Sequence, residues 1–462
     1  LQGVISDKDT GEPIPFANII LENGGTQVGG ASSDFDGNYD INPIPPGTYD
    51  LKATFVGYNT FIMKGVVISP NKITFQDVSM SMQSEMLDAV EVVDYKVPLI
   101  SKDQTSVGAT LTAEEIAKMP NRSADAVAAS VGGVFSSDGE VGSMRGARSE
   151  GTVYYVDGVR VIGSKNVPQS AIDQVEVLLS GTPAMYGDAT GGIINMTTKG
   201  PSRTFGAGVE LETSEFLDGY GHNRVGLNVQ GPLIKGKKSE TALLGFFLSG
   251  EFTYDRDGYL SAIGHYKATD EWLNYIEQNP IRVSGTGSGT YQNGLYTRMG
   301  SMEYVKNSQN TAGWSTAVTG NINVRTTETI NLTFGGSFNK SRANAYSRAH
   351  AFFNSDKNAL TDSQTWRVYG RFTQRFPTPQ ESTSLIKNFY YTLQADYTRY
   401  NYTYGDPDHW DDIWKYGYLG KYTIYKTRSY ELGSDTVNGH YYDNVWVLNS
   451  WDYDTLVTFD RS

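Results

Sequence analysis

Residues 153–199 read VYYVDGVRVIGSKNVPQSAIDQVEVLLSGTPAMYGDATGGIINMTTK, and this stretch decides the fold. Three β-rich runs stand in it: Val153–Val156, Val175–Leu179 and Gly192–Thr198. Gly, Asp, Pro and Ser bound each run, as they bound strands generally. Asp157-Gly158 is a hairpin dipeptide leading into a further run, Val159–Ile162. Pro168–Ala171 reads as a short helical piece. The expectation is a small mixed α/β domain. The chain before it carries short strands, and the chain after it carries long alternating ones.

Four pieces in and just before this stretch resemble the plug domain of TonB-dependent outer-membrane transporters. They are Ser143-Met144-Arg145-Gly146, Tyr155-Val156-Asp157-Gly158-Val159, Ile172-Asp173-Gln174-Val175-Glu176-Val177, and Ala184-Met185-Tyr186-Gly187 followed by Gly191-Gly192 and Ile193–Lys199. Their order within one plug's length carries the resemblance. It implies an N-terminal β-sandwich, an α/β plug and then a transmembrane antiparallel β-barrel, of which this chain holds the first part. The plug residues so implied are Arg145, Gly146, Asp157, Gly158, Tyr186, Gly187, Gly191 and Gly192. The implied location is the bacterial outer membrane, with sandwich and plug on the periplasmic side or inside the barrel. The implied partners are TonB and outer-membrane lipids; no cofactor or metal is implied.

Downstream, the period-two pattern is clean. Phe205, Ala207, Val209 and Leu211 alternate with Gly206, Gly208, Glu210 and Glu212. Val225, Leu227 and Val229, then Leu244, Phe246 and Leu248, then Ile322 and Val324, then Ile330, Leu332 and Phe334 repeat it. Such strands have one apolar and one polar face, which a soluble sandwich would share. Link lengths favour the barrel. Gly231–Thr241, Arg325–Thr329 and Phe376–Ser384 are short, whereas Thr253–Gly313, Ser341–Gln364 and Tyr404–Asn444 are long. Short turns alternating with long outer loops are the barrel pattern. Gly231–Lys237 resembles the family's first periplasmic turn, and Tyr390, Tyr391, Tyr397, Tyr400, Trp446 and Trp451 read as interfacial girdles. About eight strands are expected here, against roughly twenty-two in a plugged transporter. The chain therefore reads as an N-terminal portion, its signal peptide removed or upstream.

Upstream, short runs separated by Asp9-Thr10-Gly11, Asp36-Gly37-Asn38 and Pro45-Pro46-Gly47 suggest a β-sandwich over 1–82. Gly11–Ala17, Asp34–Tyr39 and Pro46–Leu51 resemble the carboxypeptidase regulatory-like domain, which often precedes the plug in Bacteroidetes transporters. Asp34, Asp36 and Asn38 invite a calcium reading, but the bidentate Glu of such a loop is absent and an Asx turn is favoured. Residues 83–104 form a linker, 105–200 the plug and 201–462 the barrel portion. Within the linker, Val90, Glu91, Val92 and Val93 resemble the Ton box, the strand that TonB pulls. The alternative, less favoured, is that they pair within the first domain or the plug. Thr112 and Glu115 form a capping box for a short helix, and Ser123–Ser130 a second one. Arg145 and Arg148 are expected to pair with acids of the barrel's inner wall.

The 462 residues carry 38 basic and 51 acidic side chains, a balance that disfavours nucleic acid as partner. There is no Cys and no HExxH, GxSxG or P-loop pattern, so an enzyme is not expected. Two functions remain: a TonB-dependent importer of a large or scarce solute (glycan, peptide or chelate), or a transporter-like interaction subunit of a larger outer-membrane complex. A glycan importer of the SusC type, with a SusD-like lid lipoprotein, is a subcase. Residues 181–192 depart from the SusC version.

Overall fold

A computed structural model describes residues 1–460 apart from 24–25, 70–71, 83–89, 96–106, 138–139, 184–185, 188, 203, 236–241, 284–289, 328, 377–388 and 411–420. The linker's Met86–Ala89, the Ala184-Met185 pair, most of the Phe376–Ser384 turn and Gly236-Lys237 therefore lie outside the described residues.

The first unit holds β1 (Gln2–Asp7), β2 (Asn18–Asn23), β3 (Thr26–Ser32), β4 (Asn38–Asp40), β5 (Gly47–Thr54), β6 (Thr60–Ile68), β7 (Val78–Met80) and β8 (Val90–Asp94). They form two sheets, β4-β1-β7 and β3-β2-β5-β6-β8. Strict alternation along β5 sends Tyr49, Leu51 and Ala53 inward, where they meet Ile5, Ile19, Leu21, Val66 and Met80. The Asp34 carboxylate accepts the backbone N–H groups of Asp36 and Asn38, so this segment is an Asx turn.

The second unit begins with β9 (Val107–Thr112), α1 (Ala113–Ala117), α2 (Ala124–Ala129), β10 (Val134–Ser137) and β11 (Glu140–Met144). It continues with β12 (Thr152–Val156), β13 (Val159–Arg160), β14 (Ile172–Ser180) and β15 (Gly192–Thr198). Thr112 and Glu115 cap α1 reciprocally, and Ser123 caps α2. The sheet order is β13-β12-β15-β14-β9, with β12 and β15 parallel. The expected hairpin at Asp157-Gly158 joins β12 to β13.

The third unit is an antiparallel meander. Its strands are β16 (Gly206–Thr213), β17 (Asn223–Lys235) and β18 (Ala242–Asp255), then β23 (Gly313–Arg325), β24 (Ile330–Asn344), β25 (Leu360–Phe376) and β26 (Phe389–Gly405). Between β18 and β23 the long outer loop folds as β19 (His265–Ala268), α3 (Asp270–Gln278), β20 (Ile281–Val283), β21 (Thr290–Gln292) and β22 (Met302–Val305). A hairpin of β27 (Lys421–Val437) and β28 (His440–Asp460) follows, so much of the expected Tyr404–Asn444 loop is strand. Its turn is Asn438-Gly439, both at positive φ, which is the two-residue hairpin signature.

The two faces of the meander differ as the alternation requires. Val209, Leu211, Leu227, Leu248, Ile322, Phe334, Val368, Leu393 and Tyr397 stand exposed on one side. A soluble protein does not leave so broad an apolar face bare, whereas lipid covers it without cost. The other side holds the plug. Tyr390 and Tyr400 share the parity of Gln394 and Thr398 and face the plug, so they do not belong to the lipid girdle. Parity, and not composition, separates them from Tyr391 and Tyr397. The side chain of Trp451 lies outside the described residues.

Phe247 shows how wall and plug share a core. It sits at inward parity on β18, is 2% exposed, and packs in one cluster with Val167, Ala171 and Ile172 of the plug. Phe247→Ala is expected to cost about 3–5 kcal/mol. Urea melts of the purified protein, followed by near-ultraviolet circular dichroism, measure it; a change under about 1 kcal/mol would refute the shared core.

Candidate functional site: the polar seam between plug and wall

At the β16–β18 side the seam is a charged clamp. Asn121 Oδ1 accepts the N–H of Ser123, which shapes the turn before α2 and presents Arg122. Arg122 forks onto Glu210, with Nη2 at 2.8 Å and Nη1 at 3.3 Å. Arg224 is 4% exposed and reaches three carboxylates: Glu212 at 2.9 Å, Glu251 at 3.1 Å and Glu210 at 3.3 Å. The register places Glu212 directly across from Arg224, so strand pairing itself builds the site. Glu251 also accepts the backbone N–H of Gln169, and Ser170 Oγ lies 2.8 Å from Ser249 Oγ. These bonds tie the short 3₁₀ turn Gln169–Ala171, expected from the sequence, to the wall.

A second anchor is the β12–β13 hairpin. Asp157 adopts φ 52° and Gly158 φ 81°, as this turn type demands. The Asp157 carboxylate accepts the N–H and hydroxyl of Thr198, each at 2.8 Å, and the Tyr369 hydroxyl at 3.2 Å. Its carbonyl accepts Arg371 Nη2 at 2.6 Å. The dipeptide read as a turn is therefore also a plug-to-wall bond.

The other motif residues serve the plug internally. Arg145, at φ 50°, donates to Ser180 Oγ at 2.7 Å, and Gly146 follows at φ 81°. Arg148 gives its carbonyl to Gly151 N–H. The expected pairing of Arg145 and Arg148 with wall acids is thus replaced by that of Arg122, which the sequence reading passed over. Tyr186 packs edge-on against Tyr155, with ring centres 4.8 Å apart, and Asn195 Nδ2 lies 3.3 Å from its hydroxyl. Gly187 has open space around it. Gly191 N–H bonds Gly151 O, and at Gly192, φ 126°, any side chain would strike Leu178 O and Met144. The clamp acids carried one signal: Glu210 and Glu212 sit at the polar parity of β16.

The sandwich docks on the same assembly. Thr48 Oγ1 donates to Asp173 at 3.2 Å, Gln174 Nε2 donates to Ile68 O at 3.0 Å, and Lys72 pairs with Glu176 at 2.5 Å. From the wall, Arg375 Nη1 donates to Val28 O at 2.8 Å. Between the three units lies a cavity of about 990 Å³ lined by Thr48, Asp173, Asn195, Asn321 and Arg371 among others. Burial raises the Asp173 carboxyl above the usual aspartate range, partly offset by the Thr48 bond. Val90–Asp94 forms the edge strand of the sandwich, parallel to β6, with Val92 and Val93 exposed. Tyr95 N–H closes it onto Lys64 O at 2.8 Å.

Residues 1–81 match the carboxypeptidase regulatory-like domain, and residues 101–193 match the TonB-dependent receptor plug domain. The probable TonB-dependent siderophore receptor PirA of Acinetobacter baumannii is 37% identical over 113 residues, 20% of this chain and 15% of that protein. The TonB-dependent transporter Oar of Myxococcus xanthus is 23% identical over 296 residues, 59% of this chain and 27% of that protein. Among solved structures, Pseudomonas aeruginosa FpvA bound to a heterologous pyoverdine aligns at TM-score 0.43 and 15% identity, covering 74% of this chain and 41% of that one. This chain thus matches only a minor part of the length of these curated relatives.

Two outcomes test the seam. Arg224→Met leaves Glu251, 14% exposed, and the partly buried Glu210 without this cation and is expected to cost about 1–3 kcal/mol, read from urea melts. Burial in the folded assembly lets the Asp173 carboxyl hold its proton to higher pH than in the unfolded chain. Its contribution to stability is therefore fully present below the ordinary aspartate range and is lost as pH rises through the raised value. Hydrogen exchange around Ile68 at pH 4 and pH 7 should show this trend, and Asp173→Asn should flatten it.

Proposed function

We infer that this member of the TonB-dependent receptor family imports a large or scarce solute across the outer membrane, along the seam between plug and wall. The observation that carries this reading is the seam itself. Apart from the apolar contact at Phe247 it is a polar, bonded interface, so those bonds can break and re-form with water taking over. The Arg122–Glu210 fork, the Gln169–Glu251 bond and the Asp157 anchor hold the plug at rest. Among the described residues no set in the seam is arranged to do chemistry on a solute, whose hydrogen bonds and charges would be met in passing.

Energy would come from TonB, acting on Val90, Glu91, Val92 and Val93. An exposed edge strand offers a row of backbone groups to a partner's sheet, and that partner need not read the side chains closely. The same four residues already pair with β6, so TonB must take the strand from the sandwich or extend the sheet at its free edge. Solute class remains within glycan, peptide or chelate. The siderophore receptor among the relatives lends weight to a chelate. The pairing of the strand with β6 also supports a second reading, a scaffold subunit in which the strand is structural. A stable set of unrelated outer-membrane subunits would then co-purify with the native protein, whereas a lone barrel or one lid lipoprotein would fit the importer.

Val92→Pro separates the two. Proline cannot donate a backbone hydrogen bond and disfavours strand pairing. The importer reading expects the purified variant to bind the periplasmic domain of TonB at least tenfold more weakly than the wild type, with the barrel still assembled. Equal binding by calorimetry would sink it.

A further inference from the structure

The seam is bonded unevenly, and its unbonded part is a site. On β25, Arg367 lies at inward parity, between Thr365 and Tyr369 and across from Ser337 and Thr398. It is 2% exposed. Its Nη1 reaches Ser337 Oγ at 3.3 Å, while its Nε and Nη2 are buried and have no hydrogen-bond partner among the described residues. Asp157 and Asp396 act on the guanidinium only through space. Beside it, both amide atoms of Asn339 and the hydroxyl of Thr398 are likewise buried without partners. Asn339 is two residues from Ser337 on the same face of β24.

The pattern of unmet atoms is informative. Nε–H and the adjacent Nη2–H form one edge of the guanidinium, two parallel donors that match two oxygens of a single anion. Leaving that edge bare in a buried place costs more than leaving any neutral group so. Thr398 and Asn339 add a hydroxyl and an amide for further oxygens. The covering element is the plug loop after β13. Ser164 N–H donates to Thr365 Oγ1 at 3.1 Å, and a Cβ placed on Gly163, φ 77°, would collide with the Tyr400 ring. Gly163 thus lets the loop press flat on the wall beside Arg367.

We propose that Arg367, with Asn339 and Thr398, is a solute-contact site for a paired-oxygen anion, a carboxylate, sulfonate or phosphate group, uncovered when the loop around Gly163 lifts. Its place on a transport route rests on the importer reading; its anion chemistry does not. The resting plug covers the fork, and the passing anion satisfies it. The Arg122–Glu210 pair stays bonded on the far side of the meander, so the plug yields first where its wall contacts are unmet.

The test uses the absence of Cys from these 462 residues. Thr398→Cys places one thiol across from Arg367. Its reaction with a methanethiosulfonate reagent bearing a sulfonate is compared with one bearing a quaternary ammonium, each normalised to a free thiol. Purified protein at rest should react slowly with both. Gly163→Val wedges the loop off the wall without TonB, and the thiol should then favour the sulfonate reagent at least fivefold. Arg367→Gln should abolish the preference, with folding read from heat-modifiable gel migration. No preference, or a preference surviving Arg367→Gln, would overturn the site, as would continued protection with Gly163→Val. In cells carrying the full-length protein with Gly163 intact, labelling of Thr398→Cys only when the inner membrane is energised supports the route. Protection there, beside a clear preference in the wedged protein, would overturn the route and leave the anion site.

Discussion

Side chains of a strand point alternately to opposite faces, and every wall strand of this protein must satisfy two solvents at once. One parity meets hydrocarbon, where an unpaired polar group is costly; the other meets a folded domain made of hydrogen-bonding loops. The meander from β16 to β26 obeys this rule along its length. Leu211 faces out while Glu210 and Glu212 face the plug; Trp366 and Val368 face out while Arg367 and Tyr369 face in. A shift of one residue in β16 would place Glu210 and Glu212 in lipid and Leu211 against the plug. The alternation therefore fixes register, and register places the functional groups.

Within that frame the plug is held by contacts of different kinds. Phe247 joins it to the wall by apolar packing, which resists separation in water. Arg122 joins it to Glu210 by charge, and Asp157 by hydrogen bonds, both of which water can replace, while Arg224 gathers the acids from within the wall. Around Arg367 the seam has burial without pairing. A body held this way does not come free uniformly. The contact that loses least on opening is the one whose polar groups gain partners by it.

The sandwich adds a further layer to the same assembly. Gln174 and Glu176 lie on β14 between core residues Val175 and Val177 and are almost fully buried. Burying them would be unfavourable on a bare plug. The carbonyl of Ile68 takes the Gln174 amide N–H and the ammonium of Lys72 pairs with Glu176. The sandwich thus meets part of the plug's buried polar surface, while Gln174 Oε1 has no hydrogen-bond partner among the described residues. The strand Val90–Asp94 leaves from this unit, which couples any pull on it to the docked sandwich before the plug.

Local chemistry was legible in the sequence because it depends on near neighbours. Asp157-Gly158, the Thr112–Glu115 box, the run Gly192–Thr198 and the wall's alternation each report on residues a few positions apart. The motif order in 143–199 carried the resemblance to a plug, and the carboxypeptidase regulatory-like repeats of turns carried the first domain. Partners across the seam were not legible. Arg122 meets Glu210, Asp157 meets Arg371 and Thr48 meets Asp173 over long chain separations set by how three units dock. The sequence reading expected Arg145 and Arg148 to face wall acids, but Arg145, its backbone in the left-handed region, turns to Ser180. By itself the sequence determined strands, turns and the two faces of the wall. Only the tertiary structure decided which inward groups are paired and which, as at Arg367, are left bare, because pairing depends on the docking of surfaces and not on the pattern along one strand.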